Sequence, residues 1–312
     1  MNVLSYHPLQ EELIQRIQQM GIDNLKILST GEEPIPFLKE ADIIFSISSF
    51  PQKILDQATN LKWLQVSSAG VNQLPLTSLR DRGILLTNVR GMHGDCISEY
   101  VLAMMFALNR QIPKVLQFQK AGQWHKLSQS MLKDHTLGII GLGGIGQVLA
   151  QKASALGMKV IGLRNSTKPA EHVSRMYLTK DICDFMAHSD FVAVCCPLTP
   201  ETTGLVSKEA IASMKPTASL INIARGQVVD EPALIEALQQ KKIASAALDV
   251  FWKEPLPESS PLWKLDNLIL TPHVAGDMVD YTERAAKIFT DNLERYLKKQ
   301  PLQGVVDYQL GY

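Results

Sequence analysis

The chain has 312 residues, 46% of them hydrophobic and 20% charged, with 31 basic side chains against 31 acidic ones. That length accommodates two domains with a sizeable core, and the composition excludes a disordered or fibrous chain. The cancelled charge leaves no global field for nucleic acid or an anionic membrane, so neither is expected as a partner. The N-terminal stretch "MNVLSYHPLQEELIQRI" has no basic region followed by an apolar run, so no signal peptide is expected. No apolar segment approaches the ~20 residues needed to span a bilayer. Cys96, Cys183, Cys195 and Cys196 form neither a metal-ligand nor a disulfide pattern, which predicts no metal and a cytoplasmic address.

Short apolar runs alternate with helical patterns from the start. Strands are predicted at 2–6, 25–29, 42–47, 61–67 and 84–88, with an amphipathic helix over 9–20. A long helix follows over 96–110, then a less regular segment over 113–135 with room for a short helix. A second alternating series has strands at 136–141, 159–163, 191–196, 218–223, 245–250 and 268–272. It includes a helix over 144–156, and a last long helix spans 277–299. Strands separated by helices imply βαβ units and parallel sheets. The predicted class is α/β, with two Rossmann-like or flavodoxin-like doubly wound domains and a cleft between them.

The stretch "GIIGLGGIGQVLAQKASALGMKV" places Gly141, Gly143 and Gly146 in G-x-G-x-x-G spacing, with Gly144 and Ile145 inside the loop. A strand before it, a helix after it and a second strand beyond make it a dinucleotide fingerprint. Such a helix N-terminus presents free N–H groups to a pyrophosphate. An acidic residue is expected at the end of the second strand, to hold the adenosine ribose. The chain has Arg164 there, followed by Asn165, Ser166 and Lys168. A guanidinium at that point meets a 2′-phosphate in a charge-assisted pair. NADP(H) is therefore predicted as cofactor, with NAD(H) as the alternative.

Further on, Arg225 follows one predicted strand, Asp249 ends another with Glu254 in the loop behind it, and His273 follows a third. Ligands of open α/β sheets sit outside the carboxyl ends of the strands. An arginine binds a substrate carboxylate, a protonated histidine gives its proton to a carbonyl as hydride arrives, and a carboxylate beside the histidine favours its charged form. Each residue taken singly also has a plain reading: a surface ion pair, a solvated loop, a helix cap.

The motifs "GIIGLGGIGQ", "PLTPETTGLV", "INIARGQVVDEPALIEAL", "ALDVFWKEPLP" and "TPHVAG" together resemble the D-isomer-specific 2-hydroxyacid dehydrogenase family over nearly the whole chain. The resemblance implies an NAD(P)-dependent oxidoreductase that interconverts small 2-oxoacids and (R)-2-hydroxyacids. It assigns Arg225 as substrate anchor, His273 as acid/base and Glu254 as its partner. It places Asp249 near the nicotinamide carboxamide, and Pro197, Thr202, Ala224 and Gly276 within the cofactor-binding motifs. The stretch "SSAGVNQL" matches the loop whose N–H groups hold the substrate carboxylate, which brings in Ala69, Gly70 and Val71. Glu99 matches an acid of the inter-domain helix. The family fold implies a discontinuous substrate domain, 1–98 plus 285–312, a dinucleotide domain, 99–284, and a homodimer joined through the latter. Two rivals remain at this level: a non-catalytic dinucleotide-sensing protein of the corepressor type, and a formate- or phosphite-type dehydrogenase.

Overall fold

The computed structural model describes every residue except Thr30, Ser48, Thr167, Leu310 and Tyr312. The predicted cofactor-binding stretch 164–168 therefore contains one residue outside the described set, Thr167. The chain divides into two units, Met1–Met92 with Met278–Tyr312, and His93–Asp277. These divisions precede the long helices, whereas the expected boundaries at 98/99 and 284/285 cut into them. The physical reason is that each helix packs whole into one unit.

In the first unit five strands form one all-parallel sheet in the order β2-β1-β3-β4-β5. They are β1 (Asn2–Ser5), β2 (Asn24–Ile27), β3 (Ile43–Ser46), β4 (Trp63–Val66) and β5 (Leu85–Thr87). β3 and β4 are buried at every position, as a parallel sheet covered on both faces requires. The Tyr281–Leu297 helix belongs to this unit because its inner face matches the sheet. Phe289 stacks on Phe45 with ring centroids 4.7 Å apart, and Tyr296 stacks on Trp63 at 5.2 Å. Burying one such ring contributes about 2–3 kcal/mol. A buried polar line secures the register: Asn292 Nδ2 donates to Gln65 Oε1 at 3.0 Å, and Trp63 Nε1 donates to Thr87 Oγ1 at 2.7 Å.

The second unit has seven parallel strands in the order β12-β11-β10-β9-β6-β7-β8. These are β6 (Thr136–Ile140), β7 (Lys159–Leu163), β8 (Arg175–Tyr177), β9 (Phe191–Val194), β10 (Ser219–Asn222), β11 (Ser245–Leu248) and β12 (Leu268–Leu270). β8 was absent from the sequence reading. It is a three-residue edge strand with one buried position, too short for any periodicity to show. The strand order reverses between β6 and β9, so the loops after these two strands flank the switch point where doubly wound sheets take their ligands. The irregular 113–135 segment resolves into an Ile112–Lys120 helix and a short 3-10 turn, Leu132–Asp134.

The Gly94–Asn109 helix lies close against the Gly144–Ala155 helix, and Gly94 permits that approach. A Cβ there would sit 3.1 Å from Val148 and 3.3 Å from the Gly144 carbonyl. Glu99 completes the contact by pairing with Lys152 at 3.1 Å, where Asp95 also meets the ammonium. No helix among the described residues is long and apolar enough to cross a membrane.

Candidate active site

The glycine loop follows β6, and its glycines have different physical reasons. Gly141 has φ +95°, and a Cβ on it would lie 2.7 Å from the Cys196 backbone. At Gly146 a Cβ would lie 2.1 Å from the Gly141 carbonyl, so only glycine lets the helix start so close to the strand. A Cβ on Gly143 or Gly144 would meet nothing within 4 Å. The backbone there is open, and the helix that begins at Gly144 has no acidic residue in its first turn and no side-chain cap. Its first N–H groups, which no helix can satisfy internally, remain available to an anion. These features fit a dinucleotide pyrophosphate.

Arg164 follows β7, and its guanidinium turns back onto its own loop. Nε donates to the Ser166 carbonyl at 3.3 Å, and Nη2 donates to the carbonyls of Lys168 and, at 3.5 Å, Pro169. The side chains of Asn165 and Lys168 are left exposed around it. Gln147, on the phosphate helix, ties this loop down by donating to the Glu171 carbonyl at 2.8 Å.

After β9, Thr202 Oγ1 donates to the Pro197 carbonyl at 2.6 Å and accepts from the Thr199 N–H at 2.7 Å. Thr202 therefore shapes the loop beginning at Pro197. The thiols of Cys195 and Cys196 beside it are pushed far up in pKa by burial, that of Cys196 to about 12. Both are thus inert packing groups.

Arg225 stands just beyond β10. Asn222, buried at the strand end, accepts from the Ala224 N–H and donates to the Arg225 carbonyl, both at 3.1 Å, which sets the backbone around the arginine. Arg225 Nη1 donates to the Ala224 carbonyl at 2.6 Å. Burial draws the guanidinium below the usual arginine range, and the charge of Glu254 acts in the opposite sense. The next residue, Gly226, lets this loop lie against the one after β11, since a Cβ there would be 2.0 Å from the Phe251 carbonyl carbon.

That second loop carries Glu254. Its Oε1 accepts from the Phe251 N–H at 2.9 Å, and its Oε2 meets His273 Nδ1 at 2.7 Å. With Nδ1 committed to the carboxylate, Nε2 is the ring atom left to exchange a proton with a ligand. His273 has φ +58°, left-handed backbone that costs a non-glycine residue about 1–3 kcal/mol unless its surroundings enforce it.

The enforcement comes from Asp249, which is 1% exposed. Its Oδ1 accepts from the Val274 N–H at 2.9 Å and from Thr271 Oγ1 at 2.6 Å, while Oδ2 accepts from the Ala275 N–H at 2.8 Å. Gly276 ends this turn, where a Cβ would lie 3.2 Å from the ring of His93. Thr271 and Asn222 escaped the sequence reading. The signals were a threonine directly before the Pro-His pair and a lone amide at the end of an apolar strand.

In the first unit, Ser68 Oγ donates to the Gly70 carbonyl and Asn88 Nδ2 to the Ala69 carbonyl, each at 2.8 Å. The Val71 carbonyl accepts from the Leu74 N–H at 3.0 Å. All three carbonyls of this loop are thus occupied. Among the described residues, none accepts from the N–H groups of Ala69, Gly70 or Val71. Among the described residues there is also no group of three or more His, Cys, Asp or Glu side chains placed to hold a metal ion.

Residues 102–275, more than half of the chain, match the family model for the D-isomer specific 2-hydroxyacid dehydrogenase NAD binding domain. A D-3-phosphoglycerate dehydrogenase of Methanocaldococcus jannaschii is 33% identical over 98% of this chain, which spans only 59% of that longer protein. A glyoxylate reductase of Thermofilum pendens is 34% identical over 87% of this chain and 82% of its own length. Among solved structures, a D-isomer specific 2-hydroxyacid dehydrogenase of Xanthobacter autotrophicus in complex with NADPH and MES superposes with a TM-score of 0.84. It is 30% identical, over 100% of this chain and 99% of that one.

Proposed function

Because the chain belongs to the D-isomer specific 2-hydroxyacid dehydrogenase family, we propose that it reduces small 2-oxoacids to (R)-2-hydroxyacids, with NADPH preferred over NADH. The observation that carries this reading is the 2.7 Å contact between His273 Nδ1 and Glu254, in a loop set that also holds the half-buried Arg225. A bound nicotinamide dinucleotide supplies the hydride. Arg225 holds the substrate carboxylate by charge-assisted hydrogen bonds. His273 delivers a proton from Nε2 to the carbonyl oxygen as it becomes the alcohol, while Glu254 keeps the ring in register. In the reverse direction the same nitrogen takes the proton back. The N–H groups of Ala69, Gly70 and Val71 are proposed as carboxylate-binding donors of the first unit.

A substrate panel tests this reading. Glyoxylate, pyruvate and hydroxypyruvate with NADPH should each give a fall in nicotinamide absorbance, though with different efficiencies. No turnover on any 2-oxoacid with either cofactor would refute it. The relative from T. pendens, a glyoxylate reductase, makes glyoxylate the natural first member of the panel.

The cofactor preference is supported by the cationic loop after β7 and by the NADPH bound in the similar X. autotrophicus structure. One charge-assisted contact to a 2′-phosphate contributes about 1.5–3 kcal/mol, which is about ten- to a hundredfold in kcat/KM. NADPH should exceed NADH by that order. Arg164→Ala should lower kcat/KM for NADPH about tenfold while leaving NADH nearly unchanged. A wild type that prefers NADH would overturn the assignment of Arg164.

A homodimer joined through the second unit is the proposed assembly. Phe106, Ile112, Leu116 and Met131 are exposed on this unit, and Phe106, Met131 and Leu156 line one surface depression. Clustered apolar surface of this kind marks an interface. Sedimentation should give about twice the 34.6 kDa chain mass, and Leu116→Glu should shift the protein towards monomer. A wild type that stays monomeric at micromolar concentration would refute the dimer. The four thiols are all free, consistent with a reducing cytoplasm.

A further inference from the structure

Asp249 holds the His273 turn, and a second line of hydrogen bonds runs from Asp249 away from the site. Thr271 Oγ1 donates to Asp249 Oδ1 at 2.6 Å, and the Tyr100 hydroxyl lies 2.5 Å from the same Thr271 oxygen. A threonine hydroxyl has one hydrogen, and the carboxylate has none to give. The direction of the line is therefore settled: Tyr100 donates to Thr271, and Thr271 donates to Asp249. Tyr100 belongs to the Gly94–Asn109 helix, and burial pushes its phenol up to about 12, so it remains a donor at any working pH. Thr271 also donates its N–H to the Leu248 carbonyl at 3.0 Å, and its own carbonyl accepts the His273 N–H at 3.1 Å.

We propose that Tyr100 and Thr271 are positioning residues for His273. Their line of hydrogen bonds fixes the orientation of the Asp249 carboxylate, which in turn holds the left-handed turn that carries the imidazole. The proposal rests on the reading of His273 as the acid/base. Its argument is geometric. His273 sits at φ +58° in a turn whose next two N–H groups both end on Asp249. A carboxylate that accepts from two successive N–H groups, one on each oxygen, can hold them only while its own plane is fixed. Thr271 supplies the side-chain donor that fixes it, and Tyr100 keeps the Thr271 hydroxyl pointed at the carboxylate. If the line is cut, the turn relaxes towards ordinary backbone and His273 Nδ1 leaves Glu254, although neither substituted residue touches a reacting atom.

Three variants test this: Thr271→Val, Thr271→Ser and Tyr100→Phe. Each is measured for kcat, KM for glyoxylate, NADPH affinity and Tm. For T271V kcat should fall tenfold or more, with KM and NADPH affinity within twofold of wild type. T271S, which keeps the hydroxyl, should return kcat to within threefold of wild type. Y100F should lower kcat several-fold with the same unchanged KM. If T271V fails to fold, Y100F, which keeps the ring and its packing, carries the test. A merely structural role would lower Tm and leave kcat alone in the folded protein, and that result overturns the proposal. So does a T271S variant as slow as T271V.

The imidazole nitrogens of His273 give a readout independent of turnover. In ¹⁵N-histidine-labelled protein, assigned with a His273→Gln control, Nδ1 should be the protonated, hydrogen-bonded nitrogen in wild type. That signature should be lost in T271V. Unchanged His273 signals in T271V overturn the clamp. If wild type reduces no 2-oxoacid at all, the functional reading fails, yet this comparison still decides whether Tyr100 and Thr271 position the ring.

Discussion

Replacing His273 by alanine is expected to lower kcat for 2-oxoacid reduction by about 10²–10⁴-fold, the range of a single well-placed general acid. The ring is held by its Nδ1 on Glu254 at 2.7 Å, so the proton donor has one orientation in the wild type and no substitute in the variant. The loss should fall on kcat. Cofactor affinity should be nearly unchanged, because the glycine loop after β6 and the Arg164 loop after β7 lie on other strands. Stability should be equal or slightly lower, since alanine still has φ +58° to adopt and no longer makes the contact with Glu254. NADPH titration by fluorescence, together with steady-state rates, separates these effects. Near-normal turnover in the folded variant would remove His273 from the chemistry.

Arg225→Ala is expected to lower kcat/KM for 2-oxoacids by about 10²–10³-fold, equivalent to about 2.7–4 kcal/mol of lost stabilisation. The guanidinium is half-buried and drawn below its usual range by desolvation, so it stands in a partly screened setting where a carboxylate partner counts for more than in water. Lysine should not rescue it, because a point charge on a flexible stem cannot reproduce the planar fork. A neutral ketone with no carboxylate should lose far less than a 2-oxoacid does. Equal losses for both would mean that Arg225 supports Glu254 and His273 and does not anchor substrate.

Both variants lie in loops that the sequence already marked, and the reasons are local. A run such as "TLGIIG" followed by glycines at fixed spacing admits few structures, because each glycine answers to a contact within a few residues. Gly146 faces the Gly141 carbonyl, and Gly141 faces the loop after the adjacent strand. Parallel strands buried on both faces read as unbroken apolar runs, which is why most strands of both sheets were legible. β8 was not, because three residues at a sheet edge bury too little to leave a pattern.

Arg225, Glu254 and His273 were visible as polar residues at consecutive strand ends, which is a property of the chain. Other features depend on which surfaces meet. Asp249 was expected beside a nicotinamide, and its two oxygens are seen to take the N–H groups of Val274 and Ala275. Tyr100 reaches Thr271 across 171 positions of sequence, and Asn292 reaches Gln65 across 227. Hydrogen bonds of that span carry no local spacing, so composition and periodicity cannot announce them. Arg164 shows the same division. The sequence by itself determined that a cation stands where a ribose-binding acid is usual. Only the tertiary structure decided that its guanidinium folds onto the carbonyls of its own loop and leaves Asn165 and Lys168 exposed. Local sterics and charge are written residue by residue, whereas the partner of a buried polar group is chosen only when distant segments exclude water together.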